Sequence, residues 1–129
     1  MHQELIKQAV NTIRDVCHKA ASDSGWWTGP NGEDLRAIHS REFIPAKLCL
    51  IHSEISEAME GDRKNLMDDK LPHRKMIEVE LADALIRILD LAGAMKMDIG
   101  GAVAEKMAYN AKREDHKLEV RNLQGGKAY

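Results

Sequence analysis

Aromatic residues are scarce in this 129-residue chain, which has two Trp, two Tyr and one Phe, or 4% of the total. Charged residues make up 31%, and there are seven methionines. This mixture favours helices packed through Leu, Ile, Ala and Met over a β-sandwich. The length suits one domain and is too short for two. We therefore expect a single all-α domain over residues 1–117, with an extended or mobile tail over residues 118–129.

Long apolar runs are also missing, since no stretch approaches the roughly 20 residues that a membrane span needs. The net charge of −2 gives no basic character of the kind that nucleic-acid binding requires. Cys17 and Cys49 belong to no CxxC pair, which indicates buried, reduced thiols. The segment MHQELIKQAV contains an acid and is unlike a signal peptide. We expect a cytoplasmic protein without a membrane or nucleic-acid partner.

Apolar residues recur at helical spacing in four segments of the chain. Pro45 suits the first turn of the second helix, and Gly61 suits its end. Asp98 is a plausible N-cap for the fourth helix, and the Gly- and Asp-rich stretch Ser22–Asp34 predicts a loop. Four helices with short connections predict a helical bundle. The predicted helices cover residues 2–20, Pro45 to about Glu60, about His73 to Met97, and the stretch after Asp98 to about Asp115.

Pairs of acidic residues border the apolar faces of two of these helices. Glu54 and Glu57 stand three apart on the second helix, and Glu80 and Asp83 repeat that spacing on the third. No cation stands three or four residues from the three glutamates. Asp83 does have a cation at i+4, Arg87, and we expect Arg87 to form an ion pair with Asp83 or with Asp90 on the same helix.

Unpaired carboxylates beside an apolar face repel each other and are costly to desolvate. A divalent cation removes both costs, and four acids on two antiparallel helices would converge on one ion. Carboxylate oxygens alone suit Mg²⁺ or Mn²⁺, and the absence of His from both pairs disfavours the di-iron sites of ferritin-like bundles. The alternative is a solvated helix face, which is the usual meaning of one ExxE in a chain with 21 acidic residues.

Three polar residues of the fourth helix share one face, because Lys106, Asn110 and Arg113 follow each other at i, i+4 and i+7. Two cations and an amide in line match an extended anion such as a polyphosphate. Basic residues on a helix are more often simply solvated. Lys47 lies two helical turns before Glu54, so it either reaches a phosphate or pairs with an acid across the bundle.

The three motifs occur in the order SEISE (53–57), ELAD (80–83) and KMAYNAKR (106–113). In this order they resemble the MazG-like all-α nucleoside triphosphate pyrophosphohydrolases, whose pattern is EExxE, ExxD and KxxxNxxR. The resemblance covers about residues 25–115. Within it, the sequence is most similar to the small single-domain bacterial and phage members of that family. Ser53 departs from it by replacing the first Glu, whereas the four metal-ligand positions match.

The resemblance implies hydrolysis of a nucleoside or deoxynucleoside triphosphate to the monophosphate and pyrophosphate. Mg²⁺ is the implied cofactor, with Mn²⁺ as a substitute, and a homodimer or homotetramer is the implied assembly. The metal-ligand and catalytic positions fall on Glu54, Glu57, Glu80 and Asp83, and the phosphate-binding positions on Lys106, Asn110 and Arg113.

Two adjacent tryptophans follow the first helix, and at most one of them can stack on a base because neighbouring side chains point different ways. We assign the substrate contact to Trp27 and expect Trp26 to pack on the bundle. Two other functions stay open. One is a metal-dependent phosphoesterase for another phosphorylated nucleotide, such as an alarmone or a dinucleotide. The other is a non-catalytic helical interaction protein.

Overall fold

The computed structural model describes residues 2–38 and 40–129; Met1 and His39, which fall within the predicted domain, lie outside the described residues. The described residues form helices, turns and two isolated β-bridges, with no strand among them. The all-α prediction is therefore confirmed. None of the helices in these ranges is long and apolar enough to cross a membrane.

Four long helices occur where the apolar periodicity predicts them, and two one-turn helices accompany them in the described ranges. A 3₁₀ turn at Glu114–His116 precedes the last helix. The six α-helices are α1 Gln3–Asp23, α2 Leu35–Ile38, α3 Ser40–Arg63, α4 Met76–Ala94, α5 Ile99–Ala111 and α6 Leu118–Arg121.

Helix α3 is longer at both ends than the sequence predicts. It begins at Ser40, so Pro45 lies inside the helix and not at its first position. It also continues through Gly61 to Arg63, so Gly61 does not end it. A Cβ at Gly61 would lie 2.8 Å from Cβ and Cγ of Met76. The glycine therefore serves the close approach of α4 and not a helix end.

The C-terminal elements differ from the predictions in extent. Asp98 does cap α5, since its side chain accepts a hydrogen bond from the Gly101 amide at 3.0 Å. The helix ends at Ala111, before the predicted end near Asp115. Within the tail, residues 118–121 form α6 and are not extended.

The chain divides into two compact units, which we call the terminal unit (Met1–Thr12 with Asp98–Tyr129) and the central unit (Ile13–Met97). In the terminal unit, the Asn11 amide donates to Asp98 at 2.7 Å and accepts from the Gly100 N–H at 2.8 Å. These bonds join Asn11, near the middle of α1, to the beginning of α5.

The central unit is built on α3 and α4, which run antiparallel. Gly61 near the end of α3 faces Met76 at the start of α4, and earlier residues of α3 face later residues of α4. The core contains Trp27, Leu91 and Ala94. Because the two helices are antiparallel, their acidic pairs come to the same level.

Candidate metal centre and adjoining cavity

Three of the four predicted metal ligands lie together in the central unit. Glu54 and Glu57 of α3 and Glu80 of α4 each offer a carboxylate oxygen, and these oxygens lie within 4.8 Å of one another. We call these three residues the acid triad. Glu54 is 7% exposed, Glu80 is partly buried and Glu57 is exposed. Asp83 is outside this triad, one helical turn beyond Glu80.

The electrostatics of the triad indicate a shortage of positive charge. Burial, a hydrogen bond with Glu54 and the charge of Glu57 raise the pKa of Glu80 from 4.5 to about 7. Burial, followed by the charge of Glu54, also raises the pKa of Asp83, while Arg87 opposes this rise. A proton on Glu80 thus relieves the repulsion at neutral pH, and a bound cation would relieve it further.

Among residues 2–38 and 40–129 the triad has one basic partner, which the sequence did not identify. The Nε atom of Arg87 on α4 donates to Oε1 of Glu54 at 2.5 Å. The sequence predicted a partner on the same helix, Asp83 or Asp90, and that prediction is wrong. Glu54 is the more deeply buried acid and has no cation three or four residues away on its own helix, so the cross-helix pair offsets the larger desolvation cost. The one feature of the sequence that indicates such a pair is the lack of a cation three or four residues from Glu54.

A cavity of about 560 Å³ adjoins the triad within the central unit. This volume lies within the range of about 300–1,000 Å³ typical of small-molecule sites. Acidic and basic groups line part of the cavity, and apolar side chains line the rest. Its walls include Trp26, Lys47, Glu54, Asp83, Ile86 and Arg87. Asp83 thus shares this cavity with Glu54, although it is not part of the triad.

The two tryptophans take opposite places from those that we predicted. Trp27 is 1% exposed, and its Nε1 atom donates to Asp90 Oδ1 at 2.8 Å. The Nζ atom of Lys47 lies 4.5 Å from the centre of a Trp27 ring, a cation–π contact. Trp27 is therefore a core residue and leaves no ring face for a ligand. Trp26 is 68% exposed and lines the cavity. Periodicity cannot tell two adjacent loop residues apart.

A buried polar network holds the tryptophan loop, and the sequence did not predict it. Besides Trp27, Asp90 contacts Nδ1 of His18 at 2.9 Å. Nε2 of His18 faces Nη1 of Arg36 at 3.0 Å. Because a guanidinium only donates, Nε2 is the acceptor in this contact. The network thus joins α1, α2 and α4 around the buried indole.

The predicted phosphate-binding residues belong to the terminal unit. Arg113 lies beyond the end of α5 in extended conformation, so the helical spacing does not reach it. It donates to both carboxylate oxygens of Asp115, at 3.0 and 2.6 Å. Lys106 and Asn110 line one apolar groove. Oδ1 of Asn110 is buried without a hydrogen-bond partner in the described residues. Their role in phosphate binding stays a prediction.

The donors of the triad fit a hard divalent cation. All three are carboxylate oxygens on two helices, with no His or Cys among them. Oxygen-only sites suit Mg²⁺ or Mn²⁺, whereas zinc sites use nitrogen and sulfur donors more often. The raised pKa of Glu80 points the same way, because the triad holds more negative charge than Arg87 compensates.

In comparisons with protein-family models, curated proteins and solved structures, nothing matches this chain. The resemblance to the MazG-like pyrophosphohydrolases therefore stays a prediction from the three motifs.

Proposed function

We propose that the protein is a Mg²⁺-dependent nucleoside triphosphate pyrophosphohydrolase with a MazG-like helical bundle. The observation that carries this proposal is the acid triad, which spans two antiparallel helices at the edge of a cavity. A solvated acidic face would not account for a buried Glu54 or a partly buried Glu80. The motif order described above supports the same choice.

The composition of the cavity supports a nucleotide as the substrate. Lys47 and Arg87 supply positive charge for phosphates near the acids, and Arg87 has a planar fork suited to phosphate oxygens. Trp26, Leu50 and Ile86 provide an apolar and aromatic wall at which a base can pack. A ligand with an anionic end and a flat apolar end therefore fits better than inorganic phosphate alone.

The reaction requires water to attack the α-phosphorus, so that the bond from this phosphorus to the bridging α,β oxygen breaks and pyrophosphate leaves. Bound Mg²⁺ would neutralise phosphate charge and lower the pKa of the attacking water. Glu54, Glu57 and Glu80 would hold the ion, with Asp83 facing the same cavity. Lys47 and Arg87 would orient the phosphates and favour the charge that develops on the leaving group.

Product analysis tests this proposal. Each common ribo- and deoxynucleoside triphosphate is incubated with Mg²⁺ or Mn²⁺, and pyrophosphate and monophosphate are quantified by ion-exchange chromatography. We expect equal amounts of the two products with at least one substrate, and none in the presence of EDTA. Orthophosphate without pyrophosphate would favour a phosphoesterase, and metal-dependent release from none of the substrates would contradict the proposal.

We also propose that the protein assembles into a homodimer or homotetramer. Helices α3 and α4 each carry an exposed apolar stripe, which is unusual for an isolated small domain. Light scattering coupled to size exclusion should give two or four times the monomer mass of 14.5 kDa. A monomer at micromolar concentration would contradict this assembly. The exposed residues are Leu48, Ile55 and Met59 of α3, and Leu81, Leu85 and Ile88 of α4.

A further inference from the structure

Arg87 occupies an unusual position, because it neutralises one acid of the triad and also lines the adjoining cavity. Its Nε atom is bound to Oε1 of Glu54, and its side chain is 40% exposed. Its two terminal nitrogens make no hydrogen bond within residues 2–38 and 40–129. The guanidinium thus uses one of its five N–H groups on the triad and keeps the others for the cavity.

A divalent cation and Arg87 cannot both use Glu54 fully. The cation needs lone pairs and negative charge from the triad, and the guanidinium already takes both from Glu54. The two positive groups also repel each other at the distances within the site. Binding of the ion therefore weakens the bond from Arg87 to Glu54.

Resting on the proposed function, we propose that Arg87 is a counter-ion of Glu54 that the divalent cation displaces, and that the released guanidinium then binds a phosphate of the substrate in the cavity. Because Arg87 already lines that cavity, a rotation of its side chain is enough to bring the two terminal nitrogens to a phosphate there. This arrangement couples the two ligands, so that the cation prepares the site for the nucleotide.

The direction in which Mn²⁺ affinity changes on replacing Arg87 separates this role from a purely structural one. Arg87→Met keeps the length and apolar stem of the side chain and removes the competing charge. In calorimetric titrations with Mn²⁺ alone, above the pKa of Glu80, we expect the variant to bind Mn²⁺ about tenfold more tightly than wild type, a change of about 1.4 kcal/mol. If Arg87 only held Glu54 in place, the variant would bind Mn²⁺ more weakly.

The second measurement concerns the substrate. With saturating Mn²⁺, an α,β-imido nucleoside triphosphate should bind Arg87→Met about tenfold more weakly than wild type, because a charge-assisted contact is lost. Arg87→Lys keeps a point charge and should recover part of this loss. Arg74→Met is the matched control, since Arg74 pairs with the exposed Glu78 at 3.1 Å and does not line the cavity. The control should leave both affinities unchanged.

The outcomes separate this inference from the proposed function. Unchanged or weaker Mn²⁺ binding by Arg87→Met, in a wild-type protein that binds Mn²⁺ and releases pyrophosphate, overturns the inference alone. A wild-type protein that binds no Mn²⁺ overturns both. Circular dichroism and thermal melts with Mn²⁺ establish that each variant is folded. Mn²⁺ should raise the melting temperature of Arg87→Met more than that of wild type, because the ion restores a partner to Glu54.

Discussion

Glu57→Gln should lower pyrophosphohydrolase activity at least about a hundredfold, because even the hydrogen-bond partners of metal ligands contribute up to that factor. Glu57 is the exposed member of the triad and has no hydrogen bond or ion pair within the described part of the chain. The amide keeps the shape of the side chain and removes a charged donor. The fold should therefore tolerate the change, and the melting temperature without metal should stay close to wild type.

The measurement is a steady-state assay of pyrophosphate release, paired with a calorimetric titration of Mn²⁺. Glu60→Gln is the matched control: it makes the same chemical change on the same helix, at a residue that pairs with Lys64 and lies outside the triad. It should retain wild-type activity and Mn²⁺ affinity. If Glu57→Gln is as active as this control, the ligand assignment is wrong.

Glu80→Gln should change stability in opposite directions with and without metal. In the metal-free wild-type protein, the pKa of Glu80 is raised to about 7, because the fold disfavours the charged form of this carboxyl. At about pH 8 the neutral amide should raise the melting temperature by about 3–6 °C, or about 1 kcal/mol after solvent screening. With Mn²⁺ at 100 times its dissociation constant, wild type should gain about 2.7 kcal/mol and the variant less than half of this.

The pH dependence follows from the same raised pKa. A carboxyl whose pKa is higher in the folded state contributes stability that is fully present below its ordinary pKa of 4.5, and that is lost as the pH rises through about 7. Thermal melts of metal-free protein between about pH 5 and pH 8 should therefore show a smaller decline for Glu80→Gln than for wild type. Equal declines, or a Mn²⁺ response in the variant as large as in wild type, would contradict the role of Glu80.

Local patterns predicted the helices, and with them the acidic pairs. Apolar residues at 3- and 4-residue steps locate α1, α3, α4 and α5, because each helix must bury one face. The helix ends were predicted less well than the helices themselves. A glycine at position 61 is typical of a helix end. Only its close approach to Met76 shows that it instead allows α4 to pack against α3. Backbone propensity contains no information on such a contact.

The sequence by itself determined an all-α chain whose acids recur without local cations, since both properties depend on residues within four positions of each other. The tertiary structure decided which side chains meet. It paired Glu54 with Arg87, buried Trp27 in place of Trp26, and assembled His18, Arg36 and Asp90 around the indole. These contacts depend on the register and rotation of packed helices, and helical periodicity leaves both undetermined.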